Sequence, residues 1–467
     1  MAQESMTSNG NLGKTTLRLV PSEGLHHISE SGSDTTSSNT TETSLTSSDH
    51  TPLFDLIDAF CSDPIPVGDQ EDELELGCRI MHLVAEIMPK LDVPFPPTIE
   101  DLGRGSYNRV LGITIKSKDP RQASNSRILK CLSAMSGPRT QALQFALRIS
   151  LHEPGLFFDM AADIANLRLA NSRLPRLVPR LIDYDLKQTN ALGKAYILQE
   201  RVRGENLNFL WNDLNAHQRM SAMYQIIKVT EEIANVTAPA AGLISSENLV
   251  SPGSSNIDLV RFAPPQLEKF RGQPAPPQSP LEFMLQQCDH WIEYERSSGM
   301  TENALRWPQI IAIVHSLHQR GWLGDRFHLA HNDLFPRNVI AAIKTSSTVE
   351  ITGVIDWDMC YFAPKFVALR APFWAWINEH ESEHDEDNAA SIPEDREGEI
   401  MKMIFHGTAS KEFLRSAITA EGILARKLWQ ILMAGMDFEH YQDFATKVIE
   451  QWAALHPEDG LENIQHP

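Results

Sequence analysis

His331-Asn332-Asp333-Leu334-Phe335-Pro336-Arg337-Asn338, followed by a β-branched stretch that ends in Ile355-Asp356-Trp357-Asp358, are residue types at a spacing suited to phosphoryl transfer. An aspartate in a tight loop can accept the proton of a substrate hydroxyl, and an asparagine five residues later can turn its side-chain oxygen toward a magnesium ion. A second aspartate must then reach the same ion from another strand, which is the part assigned to Asp356. Magnesium prefers hard oxygen ligands and keeps several waters, so one Asp and one Asn oxygen are an adequate protein share. Asp358 either adds charge near a second metal or caps the strand.

These residues need a support that returns Asp356 to the mouth of the loop. Val339 to Lys344, the polar turn Thr345 to Ser347 and the run Val349 to Ile355 read as a hairpin that does so. Each residue alone has a plainer reading. His331 braces a loop, Asp333 and Asn338 are turn formers that bond their own backbone, and Asp356 closes a strand. Their joint occurrence in this order favours a nucleotide site.

The same residues resemble the aminoglycoside phosphotransferase and choline kinase group of kinase-like small-molecule phosphotransferases, and its fungal branch in particular. Besides the loop, the resemblance is carried by Gly353-Val354-Ile355-Asp356-Trp357-Asp358, by Phe362 to Ala368 leading to Pro372-Phe373-Trp374-Ala375-Trp376, by Gly103-Arg104-Gly105-Ser106-Tyr107-Asn108-Arg109-Val110, and by Tyr196 to Gly204. It spans about residues 95–456. It implies an α+β, bilobal, protein-kinase-like fold, with a small antiparallel-sheet N-lobe, a larger mainly helical C-lobe and ATP in the cleft between them.

Toward the amino terminus, Thr98 to Leu102 and Tyr107 to Ile115 read as strands around a Gly-x-Gly turn. There Gly103, Gly105 and Ser106 would offer backbone N–H groups to phosphates. Asn108 stands where protein kinases usually have a third glycine. Arg127 to Leu132 reads as a strand that points Lys130 into the cleft, and the resemblance gives Lys130 the α- and β-phosphates. The helical stretch Phe157 to Ser172 supplies Asp163 as the acid that would hold Lys130, where relatives commonly carry Glu. Lys194 to Glu200 and the Gly204 turn look like the link between lobes, with backbone groups of Glu200 and Val202 facing adenine.

Composition bounds the remainder. The chain has 467 residues, 42% of them apolar, ample for a two-lobed core. The expected organisation is a Ser/Thr-rich disordered tail over 1–51, a helical extension over 52–94, the N-lobe over 95–203, the C-lobe over 204–456 and a short tail over 457–467. Gly13-Lys14-Thr15 mimics part of a P-loop, but Ser8 stands where its first glycine belongs.

A net charge of −20 argues against nucleic acid and anionic membrane as partners and is compatible with a cationic acceptor. No stretch reads as a membrane span or a secretory signal, and Cys61, Cys78, Cys131, Cys288 and Cys360 have no pairing or metal spacing. A reducing, cytoplasmic setting is the expectation. The run Glu379 to Asp387 sets His380 and His384 among carboxylates and reads as a solvated acidic loop rather than a metal site.

The expected activity is transfer of the γ-phosphoryl group of ATP to a small-molecule hydroxyl with Mg2+. Asp333 is the base, Asn338, Asp356 and Asp358 are the metal side, and Trp374 and Trp376 are candidates for acceptor contact. Two rivals stand beside it. One is a catalytically silent kinase-like binding module. The other is a protein kinase, against which Phe335 replaces the usual lysine and Asp356-Trp357-Asp358 replaces Asp-Phe-Gly.

Overall fold

The computed structural model describes residues 16–17, 73–87, 97–105, 108–116, 142–151, 160–249, 257–377, 382 and 384–464. Ser106 and Lys130 lie outside the described residues, as does nearly all of the expected amino-terminal tail. Two compact units are present. Among the described residues, one comprises 16–17, 73–87, 97–105, 108–116, 142–151 and 183–198, and the other 160–182, 199–249, 257–377, 382 and 384–464. The fold class is α+β, as expected: the first unit is built on an antiparallel sheet and the second is mainly helical.

The sheet runs in the order β1 (Thr16–Leu17), β2 (Thr98–Arg104), β3 (Asn108–Lys116), β4 (Ala142–Ser150), β6 (Tyr196–Glu200) and β5 (Leu181–Asp185). β2 and β3 form the hairpin read from the sequence, with Thr98 opposite Thr114 and Arg104 opposite Arg109. Its register slips between Asp101 and Gly103. Gly103 takes φ 140° there, and the Gly105 N–H donates to the Asn108 carbonyl at 2.9 Å to close the turn. Leu111, Ile113 and Ile115 of β3 alternate into the core, as period 2 requires. The helix Glu73–Ile87 buries Leu76, Ile80, Leu83 and Val84, a stripe at helical spacing.

In the larger unit the hairpin of strands Val339–Ile343 and Val349–Val354 forms as expected, with β7 (Glu205–Asn206) added on the outer edge. The helix Ala216–Ala234 begins at a capping box in which Asn215 and Gln218 satisfy each other's backbone N–H groups. Gln218 and Asn215 also donate to the Thr345 and Ser346 carbonyls, which pins the hairpin turn to this helix. The helix Ala420–Ala434 is buried on every face from Gly422 onward and forms the spine of the helical core. It stops at Gly435, φ 81°, where a Cβ would stand 2.5 Å from the Trp291 ring. Among the described residues no helix is long and apolar enough to cross a membrane.

One element is allotted differently from the sequence reading. The helix Met160–Arg173, expected with the first lobe, belongs to the larger unit. Its buried Asn166 donates to the Asp358 carbonyl at 2.8 Å, so the helix is fastened beside the Asp356-Trp357-Asp358 turn.

Candidate functional site

The loop after the strand Phe327–Ala330 is held by bonds among its own residues and one from Tyr361. Asn332 takes the left-handed conformation at φ 65°, and Tyr361 Oη donates to its Oδ1 at 2.9 Å. This reversal lets Asp333 turn back toward the chain that follows. Arg337 Nη2 reaches Asp333 Oδ1 at 2.5 Å, and Asn338 Nδ2 donates to Asp333 Oδ2 at 2.6 Å and to its carbonyl at 2.9 Å. An amide that gives its nitrogen to a carboxylate must turn its oxygen elsewhere, so Asn338 Oδ1 is oriented before any ion arrives. Each Asp333 oxygen keeps a further lone pair for a substrate hydroxyl.

Asp356 follows the end of the strand Val349–Val354 at φ 64°, also left-handed and also not glycine. Strained non-glycine backbone of this kind costs of order 1–3 kcal/mol and persists where surrounding bonds over-determine it. The Ile355 N–H donates to the Asn338 carbonyl at 2.9 Å, and this bond places the Asp333 loop and the Asp356 turn side by side. The Val354 N–H donates to Leu177 and Trp357 Nε1 to the Val354 carbonyl, so the turn is tied down on both sides.

His331 acts as the brace expected of it. It is 3% exposed, its Nε2 donates to the Ile355 carbonyl at 3.1 Å, and its ring meets Trp357 edge-on at 4.6 Å. Burial pushes its pKa down to about 4 against the nearby Asp333 charge, which pulls the other way. The imidazole is therefore neutral in the fold and protonated in the unfolded chain below about pH 6.5. A depressed folded pKa contributes stability that is present above the unfolded value and lost as pH falls toward the folded one. The wild type should lose about 3 kcal/mol from this residue between pH 6.5 and 4, whereas His331→Gln should have a flatter profile. Urea unfolding at intervals across that window checks it, and equal slopes for the two proteins would remove His331 as the source.

The remaining expected site residues divide between the two units. Gly103 and Gly105 belong to the sheet unit, while Asp163, Glu200, Val202, Asp333, Asn338, Asp356 and Asp358 belong to the larger one. Asp163 stands in the first turn of its helix. The Cys360 thiol is pushed up first by burial and then by the charges of Asp358 and Asp163, which places both carboxylates close to it. The Glu200 N–H is committed to the Arg180 carbonyl at 2.8 Å, so it is not the group that would meet adenine. Val202 packs on Gly353, where a Cβ would come within 2.8 Å of its Cγ1, and the stretch after Glu200 thereby rests on the strand that leads to Asp356.

Two expectations are corrected. Trp376 is not a surface for an acceptor: it is 4% exposed, packs on Phe405 and gives its N–H to the Asn388 carbonyl. The acidic run is not uniformly solvated either. Glu386 is 3% exposed and bonds both Arg370, at 2.8 Å, and Arg426, at 2.5 Å, while Asp387 pairs with Lys427 at 2.6 Å. Burial raises the Glu386 pKa and the two guanidinium groups pull it down further, so it is ionised. Residues 378–381 and 383 lie outside the described residues.

Residues that the sequence reading missed are Asn166, Asn206 and the Arg370, Glu386 and Arg426 group. Asn206 bonds the Arg337 carbonyl and caps the short helix Leu207–Leu210. A polar residue just before a helix was a usable signal for that one. Among the described residues no three His, Cys, Asp or Glu side chains form a metal-binding group. The donor set Asn338 and Asp356 is hard oxygen, which fits magnesium completed by water and nucleotide phosphates.

The profile described as the phosphotransferase enzyme family matches residues 139–366. Two subtelomeric hrmA-associated cluster proteins of Aspergillus fumigatus, from different strains, are each 25% identical over 146 residues, covering 31% of this chain. The match takes in 24% of their length, so the chain spans about a quarter of the curated relatives it matches. Solved structures that this chain matches include aminoglycoside phosphotransferase APH(4)-Ia, at 13% identity and TM-score 0.41 over 80% of this chain and 98% of that one. Another is the ADP-bound aminoglycoside phosphotransferase APH(2'')-Ib, at 10% identity and TM-score 0.38 over 79% of this chain and 96% of that one.

Proposed function

We propose that this chain, a member of the phosphotransferase enzyme family through residues 139–366, transfers the γ-phosphoryl group of ATP to a hydroxyl of a small molecule with the help of magnesium. The observation that carries the proposal is the bonded knot of Asp333, Arg337 and Asn338, joined by the Ile355 N–H to the turn that presents Asp356. A knot of this kind spends hydrogen bonds on the orientation of polar side chains, which a merely structural turn does not require.

In the proposed reaction the acceptor oxygen attacks the γ-phosphorus and a new O–P bond forms. The bond from that phosphorus to the bridging oxygen breaks, and ADP leaves with the electron pair. Asp333 accepts the hydroxyl proton and holds the oxygen in line. Arg337, exposed enough to meet solvent, keeps a positive charge beside the transferred group. Asn338 Oδ1 and the Asp356 carboxylate would hold magnesium, with Asp358 beside a second ion. The ion these residues would hold would supply positive charge to the phosphate oxygens. Gly103, Gly105 and Ser106 would meet the phosphates, Lys130 would position the α- and β-groups with Asp163 as its acid, and the Glu200 carbonyl and Val202 would face adenine.

Calorimetry of ATP binding with and without magnesium tests the reading on the wild type and on Asp356→Gly, which suits the left-handed backbone at that position. Magnesium-dependent binding weakened about tenfold or more by the substitution is the expected result, equivalent to about 1.4 kcal/mol. A folded wild type that binds no nucleotide sinks the proposal. Binding without phosphate transfer to any acceptor would favour the silent-module reading.

A further inference from the structure

Behind the Asp333 loop the larger unit encloses a cavity of about 70 Å³ that opens to solvent. Asn332 and Leu334, the two neighbours of Asp333, line one side of it, so a group seated there lies against the loop that carries the proposed base. Ile226, Val367, Ala371, Pro372 and Trp374 supply apolar surface around it. The Trp374 ring is steadied by Trp211, which meets it edge-on at 5.2 Å. A water needs roughly 10–15 Å³ by the same measure, so the space takes a group of about four or five heavy atoms.

The polar side chains of the lining are spent on the protein itself. Thr230 Oγ1 donates to the Ile226 carbonyl at 2.9 Å, His331 Nε2 donates to the Ile355 carbonyl, and Asn332 Oδ1 accepts from Tyr361. Arg426 bonds Glu386 and the Ser416 and Ala417 carbonyls. His331 Nδ1 and Gln430 Oε1 have no hydrogen-bond partner, but packed neighbours close over both atoms and leave them no surface to offer a guest. Water in such a place forfeits hydrogen bonds, and an apolar group that displaces it is favoured.

A cationic guest is poorly served. Glu386 is the one acid among the described residues of the lining, and its oxygens stand 2.8 Å from Arg370 Nε and 2.5 Å from Arg426 Nε. Phe335 already carries two guanidinium groups, Arg337 at 4.5 Å and Arg370 at 5.1 Å from its ring centre. An ammonium entering the cavity would give up its hydration without gaining a carboxylate.

Building on the proposed phosphotransferase activity, we propose that this cavity is the acceptor subsite and that it takes the apolar end of an uncharged alcohol, a branched alkyl group of about four or five carbons. The hydroxyl of the same molecule is presented to Asp333. Its oxygen bonds the γ-phosphorus, ADP departs with the bridging electron pair, and the proton passes to Asp333. The net charge of −20 draws cations toward the molecule as a whole, but it gives them no partner inside the cavity.

The test uses the full chain and three alcohols. The first is 3,3-dimethylbutan-1-ol; the second is choline, which has the same shape with a cationic nitrogen in place of the quaternary carbon; the third is ethanol, which lacks the branched end. Two readouts are taken: ADP release with ATP and magnesium, and saturable thermal protection without nucleotide. Dimethylbutanol should exceed both others by about tenfold or more in kcat/KM or in half-protecting concentration, since each buried methylene is worth about fourfold. Ala371→Leu, which fills the cavity, should erase that advantage through KM. Val367→Ala, which enlarges it, should move the preference to 3,3-dimethylpentan-1-ol, one carbon longer. Loss of fold does not produce opposite shifts, and calorimetric ATP binding by each variant is the control.

Choline or ethanol equal to or better than dimethylbutanol on the wild type, or an advantage that neither substitution changes, overturns the inference and leaves the phosphotransferase reading intact. If no probe is phosphorylated, the protection experiment decides: protection by dimethylbutanol that is absent, or no better than that by choline, overturns it. Failure of ATP to bind is a separate result and sinks the function, not the apolar preference of the cavity.

Discussion

Asp333→Asn should lower turnover by about 10²- to 10⁴-fold, the usual worth of a positioned acid or base. The substitution is nearly isosteric, but it does more than remove a proton acceptor. In the wild type both neighbours of the carboxylate are donors, Arg337 Nη2 and Asn338 Nδ2. An amide in its place has one oxygen and one nitrogen, so one of the two donors would face another donor. Arg337 has no acceptor to offer, and the relief available is a flip of the Asn338 amide. That flip would turn Asn338 Oδ1 away from where magnesium is expected.

The variant should therefore show a second signature, a higher magnesium requirement, with ATP affinity in saturating magnesium within about threefold of wild type. ADP release measured across a magnesium titration checks both. Turnover within a factor of about ten of wild type would remove Asp333 from the chemistry.

The second large effect concerns stability. Glu386→Gln should cost about 3–5 kcal/mol, a sizeable share of the total stability of an ordinary domain. Glu386 holds two guanidinium groups in the interior of the larger unit, and without its charge the buried Arg426 would keep only the carbonyl oxygens of Ser416 and Ala417. Guanidinium groups do not lose their protons to relieve such a cost. Chemical denaturation of wild type and variant at neutral pH measures the difference. A loss below about 1 kcal/mol would show that the group is solvated in solution and is not a buried brace.

The sequence reading was most successful where the determinants are local. The hairpin Val339–Ile343 and Val349–Val354 and the Gly103 turn each depend on residues a few positions apart. The loop from His331 to Asn338 is of the same kind, because Arg337 and Asn338 reach Asp333 within one turn of chain. What the reading missed depends on partners that spacing does not reveal. Glu386 sits in a run of charges that reads as solvated, and its burial depends on Arg426, forty residues later.

The strand Ala142–Ser150 also escaped, for a different reason. It lies inside the sheet between β3 and β6, and five consecutive residues from Phe145 to Ile149 are buried, Arg148 included. The alternation that marks a strand is absent, and alanine, leucine, glutamine and arginine are good helix formers. The helix that carries Asp163 falls in the larger unit, which its sequence does not show, because a helix pattern reveals which face is apolar and not which unit receives it.

The left-handed backbone at Asp356 has a consequence for anyone who evolves this protein in the laboratory. Glycine would occupy φ 64° without the penalty that aspartate bears, so a library sorted only on survival of heat should enrich glycine at that position. The winners would be hardier molecules stripped of the carboxylate proposed to grip the metal. Selection for robustness alone would thus breed out the proposed activity, and any such campaign needs turnover as a second sieve.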